Sequence, residues 1–268
     1  MNAPMPDVQG ATDDRRIDIA QVGVRGVRHP VQLRGGDGEA RPSVATVDMT
    51  VHLPHDRKGT HMSRFLEILH TWDRPLDPAS LEALVAHVAS RLDTAHARVD
   101  LRLPYFRRKT APVTGLPRLL DYAVTLSARW DAGTFGLHAE VVVPVTSLCP
   151  CSKEISEYGA HNQRSHVTVA ARLHNGAWLD DLILPAEAEG SAQLYAILKR
   201  ADEKFVTEQA YDNPKFVEDL VRDVAARIHA DPRLTAWWVT VENFESIHNH
   251  SAWALIRAED LPPRPSPR

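Results

Sequence analysis

The chain has 268 residues, 43% hydrophobic and 25% charged, the composition of a globular protein with a substantial core in one large domain or two ordinary ones. Its formal charge of −4 and pI near 6.4 give no basic footprint for DNA, RNA or an anionic membrane. Any phosphate it binds must therefore meet a local cluster of cations.

Two cysteines in a chain this long point to a reducing compartment rather than a disulfide scaffold. The N-terminal "MNAPMPDVQGATDDRR" has neither the basic start nor the apolar run of a signal peptide, and no apolar stretch approaches the ~20 residues that span a bilayer. A cytoplasmic protein that binds neither nucleic acid nor membrane is expected. Polar, Pro- and Gly-bearing ends predict disordered tails over 1–17 and 261–268.

In chain order, "IAQVGVRGVRHPVQL" predicts an irregular strand. Strict alternation of Ala45, Val47, Met49, Val51 and Leu53 with polar residues then predicts a half-buried one. A short helix is expected around 62–71. A longer one opens at Asp77-Pro78, an N-cap followed by proline, with Leu81, Leu84, Val85, Val88 and Leu92 on one face. Strands follow at 99–103 and 119–130.

The second half predicts strands at 134–145 and 166–174, then a helix near 191–209 carrying Leu194, Ile197, Leu198, Ala201 and Phe205. Another helix opens at Asn213-Pro214, with Val217, Leu220, Val221, Val224 and Ile228 on one face, and "TAWWVTVENF" and "SAWALIRA" close the core as strands. The pattern reads ββααββ twice, with the two Asx-Pro starts 136 residues apart. This predicts an α+β fold of two tandem modules, 18–131 and 132–260, with antiparallel sheets and helix pairs on one face. Open sheet edges then favour assembly with other copies.

The chemistry concentrates in "SLCPCSKEISEYGAHNQRSH". Cys149-Pro150-Cys151 is not a zinc knuckle, and a bridge between its thiols would close a small, strained ring. A mixed site of thiolate, imidazole and carboxylate with one open position is compatible with it; so is a pair of inert core thiols, though the polar, proline-bearing surroundings are poor core material. His161 follows Cys149 by twelve residues, a loop-sized separation that permits both to reach one ion. In "VENFESIHNHSA", His248 and His250 would point the same way if extended, with Glu242 and Glu245 before them, a set suited to proton transfer or to an ordinary polar turn. Glu203 and Glu218 sit at the edges of helix faces, where carboxylates are usually solvated but can turn inward. Lys58, Arg64, Arg107, Arg108 and Lys109 lie in two basic runs that could hold a polyphosphate or merely face solvent; no Walker A loop is present.

Together, "VPVTSLCPCSKEISEYGAHNQRS", "KGTHMSRF" and "VENFESIHNHSAWA" resemble the signature segments of GTP cyclohydrolase I type B, over nearly the whole chain after about residue 17. The resemblance implies the tunnelling fold, a homo-oligomer in the form of a tetramer, and conversion of GTP and water to 7,8-dihydroneopterin triphosphate and formate for tetrahydrofolate and queuosine synthesis. It implies one divalent ion per active site (zinc, manganese or iron) held by Cys149, His161 and Glu203. Glu245 would anchor the guanine, His248 and His250 would be acid/base groups, and Glu218 would be a further member of the site. On charge alone, Lys58, Arg64, Lys109 and Arg164 are expected to clamp the triphosphate. Two rivals remain at this point: a nitrile reductase on the same fold, with a cysteine nucleophile and NADPH, and a non-catalytic metal- or nucleotide-binding protein.

Overall fold

The computed structural model describes residue 9 and residues 11–264; the outermost parts of both expected tails lie outside the described residues. The chain groups into two compact units. One holds the residues up to Arg34 with Ala40–Leu103 and Thr125–Leu137; the other holds Gly35–Glu39, Pro104–Val124 and His138 onward.

The elements of the first half follow the expected order: β1 (Ile19–Arg34), β2 (Ala40–Leu53), α1 (Met62–Thr71), α2 (Pro78–Arg91), β3 (His96–Thr110) and β4 (Pro117–Asp131). Alternation forms β2 because Ala45, Val47, Met49, Val51 and Leu53 all turn inward and are buried. β1 is irregular as its sequence suggests. Its register slips between Val24 and Val27, where Gly26 adopts a φ of 73° and gives its N–H to Asp48 Oδ1 at 2.7 Å. α2 starts at Pro78 because Asp77 caps it. The Asp77 carboxylate accepts the Ser80 N–H at 2.8 Å, and Ser80 Oγ accepts the Asp77 N–H at 2.9 Å, a reciprocal cap that contributes about 1 kcal/mol. Leu81, Leu84, Val85 and Val88 are its buried face, each contributing roughly 1.5–3 kcal/mol of burial.

The second half contains more than one further ββααββ set. It runs β5 (Thr134–Leu148), α3 (Pro150–Ile155), β6 (Asn162–Leu173), α4 (Leu179–Glu189), β7 (Ala192–Gln193), α5 (Arg200–Asp212), α6 (Val217–Ala230), β8 (Leu234–Asn243) and β9 (Ala252–Arg257). Among the described residues the strands form a nine-stranded sheet in the order β1-β2-β3-β4-β5-β6-β8-β9, with β7 paired to β5, so the fold is α+β with antiparallel pairing. No helix among the described residues is long and apolar enough to cross a membrane.

Three expectations are corrected here. α4 has no counterpart in the sequence pattern: Pro185 and four acidic residues obscure its buried set of Leu179, Leu182, Ile183 and Ala186, which packs on α6 and β6. The expected helix at 191–209 is instead the short β7 followed by α5, whose buried residues are Asp202 and Ala210; Ala201 and Phe205 are exposed. Finally, Asn213 closes α5 rather than opening α6. α6 begins at Val217, where Asp219 accepts the Phe216 N–H at 3.1 Å, while Asn213 Nδ2 donates to the Gly190 carbonyl at 3.1 Å.

Candidate active site

Cys149 stands where β5 ends and α3 begins, as the residue before Pro150 at the first helical position. Its main-chain N–H donates to the His161 carbonyl at 3.1 Å, so the thiol and the imidazole residues face each other across the end of the β5/β6 ladder. Ser152 closes the loop between them. Its hydroxyl donates to the Cys149 carbonyl at 3.1 Å and accepts the His161 N–H at 3.2 Å. Both thiols are free; Cys149 is half-buried and Cys151 exposed.

The His161 ring is held from one side. Its Nδ1 is 3.0 Å from Gln163 Oε1, 3.5 Å from Ser246 Oγ and 3.9 Å from Glu245 Oε2. The His161 and Glu245 side chains are only 12% and 14% exposed. Behind Gln163, Ser147, Ser165 and Asn243 continue a chain of hydrogen bonds into the sheet. Glu245 reaches this position because β8 ends at Asn243 opposite Ser165, and the Phe244 N–H then donates to the Arg164 carbonyl at 3.1 Å.

His248 and His250 lie on the exposed turn between β8 and β9, not on an extended strand, and their rings still stack at 5.1 Å and 17°. His166 on β6 is driven toward its neutral form by burial, with the Arg164 charge adding to the effect, and packs edge-on to Phe244 at 4.8 Å. Arg164 is exposed on β6.

Glu203 is exposed in the first turn of α5, and Glu218 is exposed in the first turn of α6. Beside Glu203 the sequence conceals a second polar centre. Asp202 is fully buried and accepts the Val113 N–H (2.9 Å), the Thr114 N–H (2.9 Å), the Thr114 hydroxyl (2.7 Å) and the Lys199 N–H (2.9 Å). Burial alone would disfavour its charge, but these donors outweigh it and hold the carboxyl well below the usual range.

Lys58 and Arg64 belong to the first unit, Lys58 exposed after β2 and Arg64 half-buried on α1. Lys109 differs from the exposed cation its basic run suggests. Its ammonium is buried, donates to Glu187 Oε1 at 2.6 Å and to the Leu194 carbonyl at 2.8 Å, and lies 4.5 Å from the centre of the Tyr195 ring. Tyr122 donates to the same Glu187 oxygen at 2.6 Å, and Arg107 pairs with Glu187 and Asp180. Those cations satisfy acids of their own fold.

Among the described residues no three His, Cys, Asp or Glu side chains gather closely enough to hold one ion. The Cys149–His161 pair nevertheless has the donor chemistry of a divalent-metal site. It joins a free thiol to an imidazole whose Nδ1 is occupied by a neighbour, the usual arrangement of a ligating histidine. Glu203 does not complete that group within the chain. Sequence reasoning missed Gln163, Ser147, Ser165, Asn243 and Asp202. A signal existed for three of them, since Ser147, Gln163 and Ser165 place polar side chains at inward positions of otherwise apolar strands.

The family described as type I GTP cyclohydrolase folE2 matches residues 5–254. The chain is 56% identical over 253 residues to GTP cyclohydrolase FolE2 of Methylococcus capsulatus, covering 94% of each chain. It is 54% identical over 255 residues to that of Paraburkholderia xenovorans, covering 95% of each, and 51% identical over 256 residues to that of Methylobacillus flagellatus, covering 96% of each. Among solved structures, uricase from Arthrobacter globiformis aligns with a TM-score of 0.48 and 11% identity, covering 92% of this chain and 96% of that one.

Proposed function

This chain belongs to the FolE2 family of type I GTP cyclohydrolases, and from that premise we propose that Cys149 and His161 hold its divalent ion together with Glu203 of a second copy, since Glu203 of the same chain does not join them, that Glu245 reads the guanine, and that His248 and His250 move the protons. The enzyme is a hydrolase, and its substrate is GTP. The reaction releases C8 of the purine as formate and leaves 7,8-dihydroneopterin triphosphate.

A divalent ion bound by these ligands supplies the Lewis acidity that makes water nucleophilic near pH 7. The residues do the rest. Thiolate, imidazole and carboxylate would together offset the ion's charge. The Glu245 carboxylate, largely shielded beside His161, can accept two hydrogen bonds from the N–H edge of a guanine and penalises a base that lacks those donors. His248 and His250 are exposed imidazoles, the side-chain type suited to proton delivery to the opening ring. Glu218 is a further acidic member, and Lys58, Arg64 and Arg164 are the cations offered to the triphosphate. The exposed edges β1 and β9, with Phe205, Tyr211, Phe216 and Trp253 at 40–60% exposure, are surfaces that a homotetramer covers.

The seating of Cys149 against His161 carries the metal reading. Purified protein incubated with GTP and zinc, manganese or iron is expected to release formate and a pterin that fluoresces after oxidation. Turnover that survives exhaustive chelation would instead favour a metal-free cysteine mechanism of the nitrile-reductase kind.

A further inference from the structure

A row of buried polar side chains crosses three neighbouring strands. Ser147 on β5, Gln163 and Ser165 on β6 and Asn243 on β8 are 0%, 8%, 0% and 3% exposed, while Val145, Val167 and Val241, two residues along each strand, are buried and apolar. Buried hydroxyls and amides are costly unless paired, and these are paired end to end. Each serine hydroxyl has a single hydrogen, so the row carries its bonds in one of two directions.

In the first, His161 Nδ1–H donates to Gln163 Oε1 (3.0 Å), Gln163 Nε2–H to Ser147 Oγ (2.9 Å), Ser147 to Ser165 Oγ (2.7 Å) and Ser165 to Asn243 Oδ1 (2.7 Å). In the second, both amides are turned over and Nδ1 becomes an acceptor. The charge of Glu245 biases the choice between them, from beyond hydrogen-bond distance. Its carboxylate, an acceptor only, stands 3.9 Å from the same Nδ1 and favours a hydrogen there.

We propose that this row holds His161 as the Nδ1–H tautomer, with Gln163 as the positioning residue, so that Nε2 presents its lone pair to the divalent ion. The proposal rests on the reading in which His161 ligates that ion. A histidine left to water favours hydrogen on Nε2, the nitrogen that must be bare to coordinate; the row removes that cost before the metal arrives. It also gives a polar row a reason to persist in an apolar sheet.

Ring-nitrogen NMR of metal-free protein with isotopically labelled histidine, with His161 assigned by the signal lost in His161→Gln, reads the tautomer directly. The expected hydrogen is on Nδ1. Titration with zinc against a competing chelator reads affinity. Gln163→Leu is expected to lose the tautomer and to weaken zinc binding about 10- to 100-fold. Gln163→Glu, which can accept from Nδ1 but cannot donate to it, is expected to retain both. Hydrogen on Nε2 in the wild type, or Gln163→Glu as damaged as Gln163→Leu, overturns the proposal. A wild type that shows the Nδ1–H tautomer but binds no zinc overturns the metal reading while leaving the row's hold on the ring intact. Should Gln163→Leu fail to fold, the wild-type spectrum and Ser165→Ala, which interrupts the row two bonds from the ring, decide the matter: an unchanged tautomer and affinity in Ser165→Ala would count against it.

Discussion

The main-chain N–H of Cys149 donates to the carbonyl of His161 at 3.1 Å just beyond the ends of β5 and β6, a backbone bond between the two residues that does not involve the thiol. Removing the thiol therefore leaves the local fold in place. Cys149→Ala is expected to fold normally but to lose metal retention and turnover, whereas Cys151→Ala, altering an exposed residue of α3, is expected to retain its metal. Metal analysis after gel filtration checks this, and equal loss in both variants would contradict a site with one thiolate.

Glu245 lies 3.9 Å from His161 Nδ1 in a largely shielded position, while Gln163 makes the hydrogen bond to that nitrogen. Charge-assisted hydrogen bonds of the kind it would make to guanine are each worth about 1.5–3 kcal/mol. Glu245→Ala is therefore expected to lower kcat/KM for GTP by about 10- to 100-fold per lost bond. Steady-state kinetics with GTP measure it; an unchanged kcat/KM would remove Glu245 from the guanine site.

Lys109 and Glu187 form a pair inside the fold, with side chains 5% and 2% exposed. Burial pushes the Lys109 ammonium toward its neutral form, and Glu187 opposes that. Lys109→Met leaves Glu187 with Tyr122 and Arg107 as its remaining partners, so a loss of about 1.5–3 kcal/mol of stability is expected, the worth of a charge-assisted hydrogen bond. The paired change Lys109→Met with Glu187→Leu is expected to recover most of it. KM for GTP should not move in Lys109→Met, since the ammonium does not reach substrate; a raised KM with unaltered stability would restore it as a clamp.

Asp202 ties α5 to the turn between β3 and β4 through Val113 and Thr114. Its folded carboxyl lies below the ordinary value near 3.8, so the stability it contributes is complete above that pH and is lost as pH falls below it. Asp202→Asn is expected to unfold at lower temperature than wild type at pH 7, with the gap narrowing as both are acidified. Thermal unfolding from pH 7 to about pH 2, through the window below 3.8, tests this, and a gap that holds constant across that window would mean the charge contributes nothing.

Local order was legible from the chain because its causes are local. Alternation over nine residues specified β2, and Asp77-Pro78 placed the start of α2 to the residue, since the cap closes over three positions. The same logic misplaced α6. Asn213-Pro214 has the composition of a cap, yet Asn213 is drawn away by the Gly190 carbonyl, more than twenty positions upstream.

The sequence by itself determined the family, the strand alternation and the three motifs that carry the chemistry, because periodicity and motif identity need no partner. Only the tertiary structure decided what each polar side chain does. Lys109 reads as one more cation in a basic run until Glu187 meets it, and Ser147, Gln163, Ser165 and Asn243 form a row only after β5, β6 and β8 lie side by side. A buried polar group is governed by whichever partner the fold brings to it, and those partners lie as much as 89 positions away along the chain.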